Sequence, residues 1–289
     1  MSEQRYIDPS IFSSKEIKTE EKPVEVKTKQ NVIDIINLRQ IFNEGKENEY
    51  RLFDNFSLSI PDFENRGQFI SIMGASGCGK TCLLKAISGL TKIPSGEIKI
   101  CGKDIKKCGN IPMVFQRYSS YDWFTVEFNV ALPFIKNGMK KKEALEKARE
   151  LLKLVDLYEH KDKYAKEPEL SGGQLQRVSI ARCLATESQI ILLDEATGAL
   201  DIKMKREVQN ILLKIFYESN NPTIINVTHS IEEAVYLSNR IIILKAKPCT
   251  IYKVVDIDFG SERRGTWLLE TEEYQNKVKE ITAILNEIC

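Results

Sequence analysis

Residues 74–81, GASGCGKT, fit the pattern G-x-x-x-x-G-K-[ST]. Gly74, Gly77 and Gly79 let backbone N–H groups turn inward around phosphate oxygens. Ala75, Ser76 and Cys78 fill the positions between them, and Cys82 follows the motif. Lys80 can reach β- and γ-phosphates, and the Thr81 hydroxyl can hold Mg²⁺. The run IILLDE, residues 190–195, is apolar and closes on two acids. Asp194, at a strand end, is placed to hold Mg²⁺ directly or through water, and Glu195 can polarise an attacking water. In LSGGQ, residues 170–174, Ser171 is a good helix N-cap, followed by Gly172, Gly173 and Gln174. A helix starting there presents bare N–H groups suited to a γ-phosphate. Taken singly, each has a plainer reading: a glycine turn with a chance lysine, a strand ending in solvated carboxylates, a capped helix.

These residues need strands that end in loops. RGQFISIMG reads as a buried strand running into the glycine loop, and TCLLKAISGL as the helix after it, ending at Gly89. NVIDIINL and LFDNFSLSI read as strands around the polar turn FNEGKENEY, and GEIKICGKDI as a strand and turn. Residues 188–194, 222–228 and 240–244 are short apolar runs flanked by helical patterns, as buried parallel strands are. Residues 140–158 place Ala144, Leu145, Ala148, Leu151, Leu152 and Val155 on one helical face. From Glu270, Tyr274, Val278, Ile281, Leu285 and Ile288 form one stripe of a helix expected to pack on its own domain. Strands alternating with helices, plus a helical block near 120–185, give an α/β class with a helical subdomain.

Bulk properties exclude several classes. The chain has 289 residues, 42% hydrophobic and 29% charged, with net charge +1. That balance offers no argument for nucleic acid or an anionic membrane. No apolar run approaches the ~20 residues of a membrane span. MSEQRYIDPS has no apolar core, so no signal peptide is expected. The seven cysteines are irregularly spaced without a C-x-x-C pair, which points to a reduced, cytoplasmic chain. His160 and His229 sit in no zinc-ligand pattern, and His160, in LYEHKDKY, reads as an ordinary surface residue. Residues 1–30 are polar and are expected to be a disordered tail.

With LSGGQ in place, the chain resembles an ATP-binding cassette (ABC) protein. VFQRYS carries Gln116, matching the family's Q-loop glutamine; GALD ends in Asp201 of the D-loop; NVTHS carries His229, matching the switch histidine. Phe42 matches the aromatic that stacks on adenine, with Tyr50 as a rival. The elements keep the family's order from about residue 31 to the end. The resemblance implies a phosphate-loop NTPase core of mostly parallel sheet with flanking helices, an antiparallel β subdomain, and an inserted helical signature subdomain. The implied division is an ABC ATPase domain over 31–262, its helical part about 117–185, and a C-terminal helix over 263–289.

VFQRYSSYDWFTVEFNVALPF and THSIEEAVYLSNRIIIL resemble the nitrate, taurine and aliphatic-sulfonate importer branch. Asp122, Ser230 and EATGALD in place of E-P-F-G-A-L-D depart from it. The resemblance implies an ATPase that binds ATP and Mg²⁺ between two cassettes facing head to tail, as a homodimer. Lys80, Thr81, Asp194 and Glu195 would act from one subunit, and Ser171, Gly172 and Gly173 from the other. Glu195 would activate water, His229 would hold the γ-phosphate, and Gln116 would join the Mg²⁺ site to the helical subdomain. Two separate transmembrane permease subunits would receive the cassette at the cytoplasmic face, docking near residues 117–123, with a solute-binding protein behind them. An export or lipid-export ATPase and a non-transport ABC protein are the alternatives. Cys78 and Cys82 are either small tolerated side chains or a redox-sensitive feature of the ATP site.

Overall fold

The computed structural model describes residues 28–63, 66–108, 111–218, 222–259 and 265–288. Residues 1–27 of the expected tail lie outside them, as does part of the C-terminal segment ERRGTW. Residues 28–30 are strand, because β1 (Thr28–Phe42) pairs antiparallel with β2 (Tyr50–Phe63) as far as Thr28 opposite Phe63. The described strand thus already runs at Thr28, ahead of the composition change at Asn31.

Among the described residues there are two sheets. β2 and β1 continue through β4 (Ser95–Ile100) to β5 (Lys103–Asp104) in a four-stranded antiparallel sheet of order β2-β1-β4-β5. The other strands are β3 (Gln68–Gly74), β6 (Met113–Val114), β7 (Ile190–Asp194), β8 (Thr223–Val227), β9 (Arg240–Lys245) and β10 (Thr250–Asp256). They lie in the order β10-β9-β3-β8-β7-β6, parallel except for β10 at the edge.

The central strands are buried on both faces, and alternation splits them between two cores. Ile70, Ile72, Leu192, Ile225, Val227 and Ile242 join the antiparallel sheet and α1 (Lys80–Ile87). Phe69, Met73, Ile191, Leu193, Ile224 and Ile241 face the other way, toward the remaining helices. Those include α3 (Val126–Lys136), α4 (Lys141–Leu154) and α5 (Gly172–Leu184), which form the block between β6 and β7. The short α2 (Ile105–Cys108) follows β5. α6 (Ile202–Glu218) joins β7 to β8, and α7 (Ile231–Leu237) joins β8 to β9.

α4 buries Ala144, Ala148 and Leu152 but stops short of the helix expected over 140–158. Asp156 turns left-handed (φ 54°), and the Leu157 N–H donates back to Leu152 O at 2.8 Å. This is a Schellman-type stop. The chain then makes a 3-10 turn at Tyr158–His160. The final helix α8 (Glu272–Asn286) buries Tyr274, Ile281 and Ile284, and the Tyr274 hydroxyl donates to Glu232 O of α7 at 2.9 Å.

Candidate functional site

The carboxyl ends of β3, β8, β7 and β6 lie side by side. Asp194 pairs with Val227, Ile72 also pairs with Val227, and Val114 pairs with Leu193. The glycine loop, the two acids, Thr228–His229 and Gln116 therefore leave the same edge of one sheet. Loops at such an edge are where open α/β sheets bind ligands.

The loop between β3 and α1 needs its glycines for different reasons. Gly74 (φ +149°) passes so close to β9 that a Cβ there would lie 2.3 Å from Leu244 O. Gly79 (φ +104°) faces Leu52 and Phe53, and Gly77 (φ +78°) has open space and needs only the left-handed backbone. Lys80 curls back over the loop, donating to Gly74 O at 2.8 Å and Ala75 O at 3.1 Å. An entering phosphate competes for that ammonium. Ala75 and Ser76 lie at the loop's surface. Cys78 points the other way: its thiol is fully buried (0% exposed) against the core and its N–H donates to Ala75 O at 3.2 Å. Burial closes Cys78 to a thiol reagent, so the redox-sensitive reading is not favoured for it. Cys82 is half-buried on α1 against the same core.

The Thr81 hydroxyl donates to Asp194 Oδ1 at 2.9 Å, joining the start of α1 to the end of β7. Burial pushes the Asp194 carboxyl up, the Thr81 hydrogen bond partly offsets this, and the Glu195 charge adds to the rise. A hydroxyl and a carboxylate oxygen are hard donors of the kind Mg²⁺ accepts beside phosphate oxygens. Because the folded chain disfavours ionised Asp194, its charge costs stability at neutral pH, and removing it should relieve that cost. Asp194→Asn should therefore raise the melting temperature of the nucleotide-free chain at pH 7. The same variant should lose hydrolysis by more than the roughly 10- to 100-fold typical of losing a metal's outer-shell partner. Thermal melts and ATPase assays on one preparation check both arms.

Glu195 leaves the strand in the left-handed region (φ 50°). Its N–H donates to Val227 O and its carbonyl accepts from Gly198 N–H, both at 2.9 Å. This tight turn swings the carboxylate toward β8, where His229 Nε2 stands 2.7 Å from Glu195 Oε1. The Glu195 carboxylate and the His229 imidazole are thereby already paired.

Gln116 is exposed beyond β6, and the carbonyl of neighbouring Phe115 accepts from Gln176 Nε2 of α5 at 3.0 Å. Phe42 and Tyr50 stack on one another, with ring centroids 6.4 Å apart. The Tyr50 hydroxyl is fixed on Gly77 O at 2.9 Å, whereas Phe42 is 43% exposed. The Asp201 carboxylate accepts from Met204 N–H at 2.9 Å and so caps α6.

At the start of α5, Ser171 and Gln174 close a full capping box: Ser171 Oγ accepts from Gln174 N–H at 3.3 Å and Gln174 Oε1 from Ser171 N–H at 2.9 Å. Gly172 has open space, and a Cβ on Gly173 would meet Met204 Sδ at 2.9 Å. These bonds close on the turn itself, not on the glycine loop. His160 is not the ordinary surface residue expected from its neighbours. Its Nε2 lies 2.9 Å from Gln174 Nε2, so the ring nitrogen accepts from the amide and the ring proton sits on Nδ1, which is buried. No local signal marks this contact; the 3-10 turn after α4 creates it.

Burial holds His160 below its ordinary value of 6.5, the charges of Lys163 and Arg177 add to this, and Glu159 opposes it. A histidine whose protonation the fold disfavours contributes stability above its ordinary pKa that is lost as pH falls through that value. Replacing it with Gln should flatten that slope: between pH 7.5 and 5.5 the wild type should lose more melting temperature than His160→Gln.

Asn129, fully buried on α3, organises the loop after Gln116. Its amide donates to Tyr121 O, Phe124 O and Thr125 O, and its oxygen accepts from Tyr121 N–H, at 2.8–3.2 Å. This holds Trp123, 68% exposed, beside Tyr121 at 5.5 Å between centroids, with the Arg182 guanidinium 4.5 Å over Tyr121.

A phosphate loop, an acid pair at the end of the next strand but one and a paired histidine on one sheet edge define a phosphate-loop nucleoside-triphosphate hydrolase. The ABC transporter family model matches residues 53–198. The uncharacterized ABC transporter ATP-binding protein MJ0412 of Methanocaldococcus jannaschii is 40% identical over 265 residues, 90% of this chain and 96% of that protein. The aliphatic sulfonates import ATP-binding protein SsuB of Bacillus subtilis is 39% identical over 224 residues, 77% of this chain and 83% of that protein. The nitrate import ATP-binding protein NrtD of Synechocystis is 35% identical over 259 residues, 88% of this chain and 94% of that protein. The dimeric, ADP- and Pi-bound cassette MJ0796 superposes with a TM-score of 0.66 at 32% identity, covering 79% of this chain and all of that one. The chain belongs to the ABC transporter family, as an ATP-binding and ATP-hydrolysing subunit related to the nitrate and sulfonate importer ATPases. Among the described residues, no helix is long and apolar enough to cross a membrane.

Proposed function

We propose that this chain powers import of a small nitrate-, taurine- or sulfonate-like solute, as a homodimeric ATPase. It works at the cytoplasmic face of the membrane on two separate permease subunits, supplied by a solute-binding protein. Support for the solute class comes from the relatives named as aliphatic-sulfonate and nitrate importers, which match most of the chain. The observation that carries the dimer is the signature turn. Its bonds close on Ser171, Gln174 and His160, leaving the glycine loop of its own chain half a site.

In the closed dimer, residues 74–82 wrap the phosphates with backbone N–H groups and Lys80 neutralises the β- and γ-oxygens. Phe42 stacks on adenine. Ser171, Gly172, Gly173, Gln174 and Asp201 act from the opposing subunit. Thr81, Asp194 and Gln116 would hold Mg²⁺, which when bound offsets charge on the phosphate oxygens. Glu195 orients and deprotonates the water that attacks the γ-phosphorus as the bond to ADP breaks. His229 holds the γ-phosphate and the geometry of Glu195. Positioning and charge stabilisation are what this reaction needs.

Within the chain, we assign residues 31–262 to the ATPase domain, about 117–185 to its helical part and 263–289 to the C-terminal helix. The exposed Trp123–Tyr121 surface is the face offered to the permease. The test is to purify the chain from detergent-solubilised membranes with its permease subunits and reconstitute them in proteoliposomes. ATP-dependent uptake of labelled nitrate, taurine or an alkanesulfonate in the presence of the binding protein is the expected result. ATP-driven movement in the opposite sense would replace import with export.

A further inference from the structure

Glu233 lies within the segment THSIEEAVYLSNRIIIL but has no role assigned so far, yet beside Asp194 and Glu195 it is the most enclosed carboxylate, 3% exposed. Ser230–Glu233 has the spacing of a capping box, and Ser230 Oγ does accept from Glu233 N–H at 3.2 Å. The reciprocal bond is missing. Ser230 N–H donates instead to Thr228 Oγ1 at 3.1 Å. The freed carboxylate accepts the Thr197 hydroxyl, 2.8 Å from both oxygens, and the Thr228 hydroxyl at 2.9 Å, with Lys205 Nζ of α6 at 3.6 Å. Ser171 and Gln174 show what a purely local box does: it closes on itself.

The partners sit where they bear on chemistry. Thr197 forms the corner of the turn closed by Glu195 O and Gly198 N–H, two residues after Glu195. Thr228 precedes His229. Both hydroxyls are buried, so neither has water as an alternative acceptor. A carboxylate enclosed this far is tolerated only with its partners in place. The departure of EATGALD from the resembled motif thus supplies a hydroxyl with a specific destination.

We infer that Glu233 is a positioning residue for hydrolysis: it fastens the turn behind Glu195 to the turn carrying His229, and so sets the 2.7 Å contact between them. The inference rests on Glu195 and His229 acting in hydrolysis. Glu233 acts through Thr197 and Thr228, whose hydroxyls it accepts.

The experiment measures ATPase kinetics, affinity for a fluorescent ATP analogue, and thermal melts for Thr197→Val, Thr197→Ser, Glu233→Gln, the Thr197→Val/Glu233→Gln pair, and Glu195→Gln. Misplacement of a catalytic group by about an ångström can cost up to about 100-fold. Thr197→Val and Glu233→Gln should each lower kcat about 10- to 100-fold, with KM and analogue affinity within about twofold. Thr197→Ser should keep wild-type kcat. The double variant should lose no more than its worse parent, because both act through one contact. Wild-type kcat in Thr197→Val and Glu233→Gln overturns the inference. So does a loss that Thr197→Ser shares with Thr197→Val, or one in which KM and melting temperature shift in proportion. Wild-type kcat in Glu195→Gln would instead overturn the hydrolytic assignment and the inference with it.

Discussion

Glu195→Gln should bind ATP, lose about 10²- to 10⁴-fold in kcat, and shift from monomer to dimer on gel filtration when ATP is added. The amide keeps the shape of the carboxylate and its oxygen can still accept from His229, so the 2.7 Å contact survives. The backbone bonds that shape the turn, to Val227 O and from Gly198 N–H, do not involve the side chain. What is lost is a proton acceptor for water. With hydrolysis stopped, bound ATP remains as the bridge between a glycine loop and the partner's signature turn, and the dimer accumulates. A kcat within threefold of wild type would remove Glu195 from the water-activating role. ATP binding without a mass shift would mean that closure needs the permease subunits.

Gly74→Ala should abolish ATP binding and destabilise the chain by about 2–5 kcal/mol. Two effects act together. Alanine is strained at φ +149°, and its Cβ would lie 2.3 Å from Leu244 O and 3.0 Å from Cys78 Sγ. Leu244 O belongs to the backbone of β9, paired with β3, so it cannot move aside as a side chain would. Relief must come from the loop, which carries the phosphate-facing N–H groups. Gly77→Ala is the control. It has a positive φ but open space around it, so it should cost only the roughly 1 kcal/mol of a left-handed alanine. Urea melts and ATP-analogue titration of both variants test the order. Equal losses would show that backbone conformation, not the approach to β9, sets the requirement.

How much of this was legible in the sequence differs by residue, for physical reasons. The glycine loop was readable because strand, turn and helix are contiguous, and the pattern itself encodes the backbone the turn needs. The central strands were readable because burial on both faces leaves unbroken apolar runs, as in IILLD and TIINV. The end of α4 was not: a left-handed Asp156 and a Leu157 that folds back stop the helix while its apolar stripe still runs on. Nor was the direction of Cys78, since a free position in a motif leaves undetermined which side of the loop its side chain takes. Nor was the tie of Tyr50, the rival of Phe42, to Gly77 O, which joins residues 27 apart in the chain.

By itself, then, the sequence determined the class of chemistry, the residue types suited to it and the strands that present them, because each depends on neighbours a few residues away. Tertiary structure decided which of those residues meet. The pairing of β7 with β8 puts Glu195 against His229. The turn after α4 brings His160 to Gln174, and the buried space behind the turns that follow β7 and β8 draws the Glu233 carboxylate to Thr197 and Thr228. Such contacts arise from sheet register and loop closure between distant segments, where hydrogen-bonding groups shut away from water must find one another.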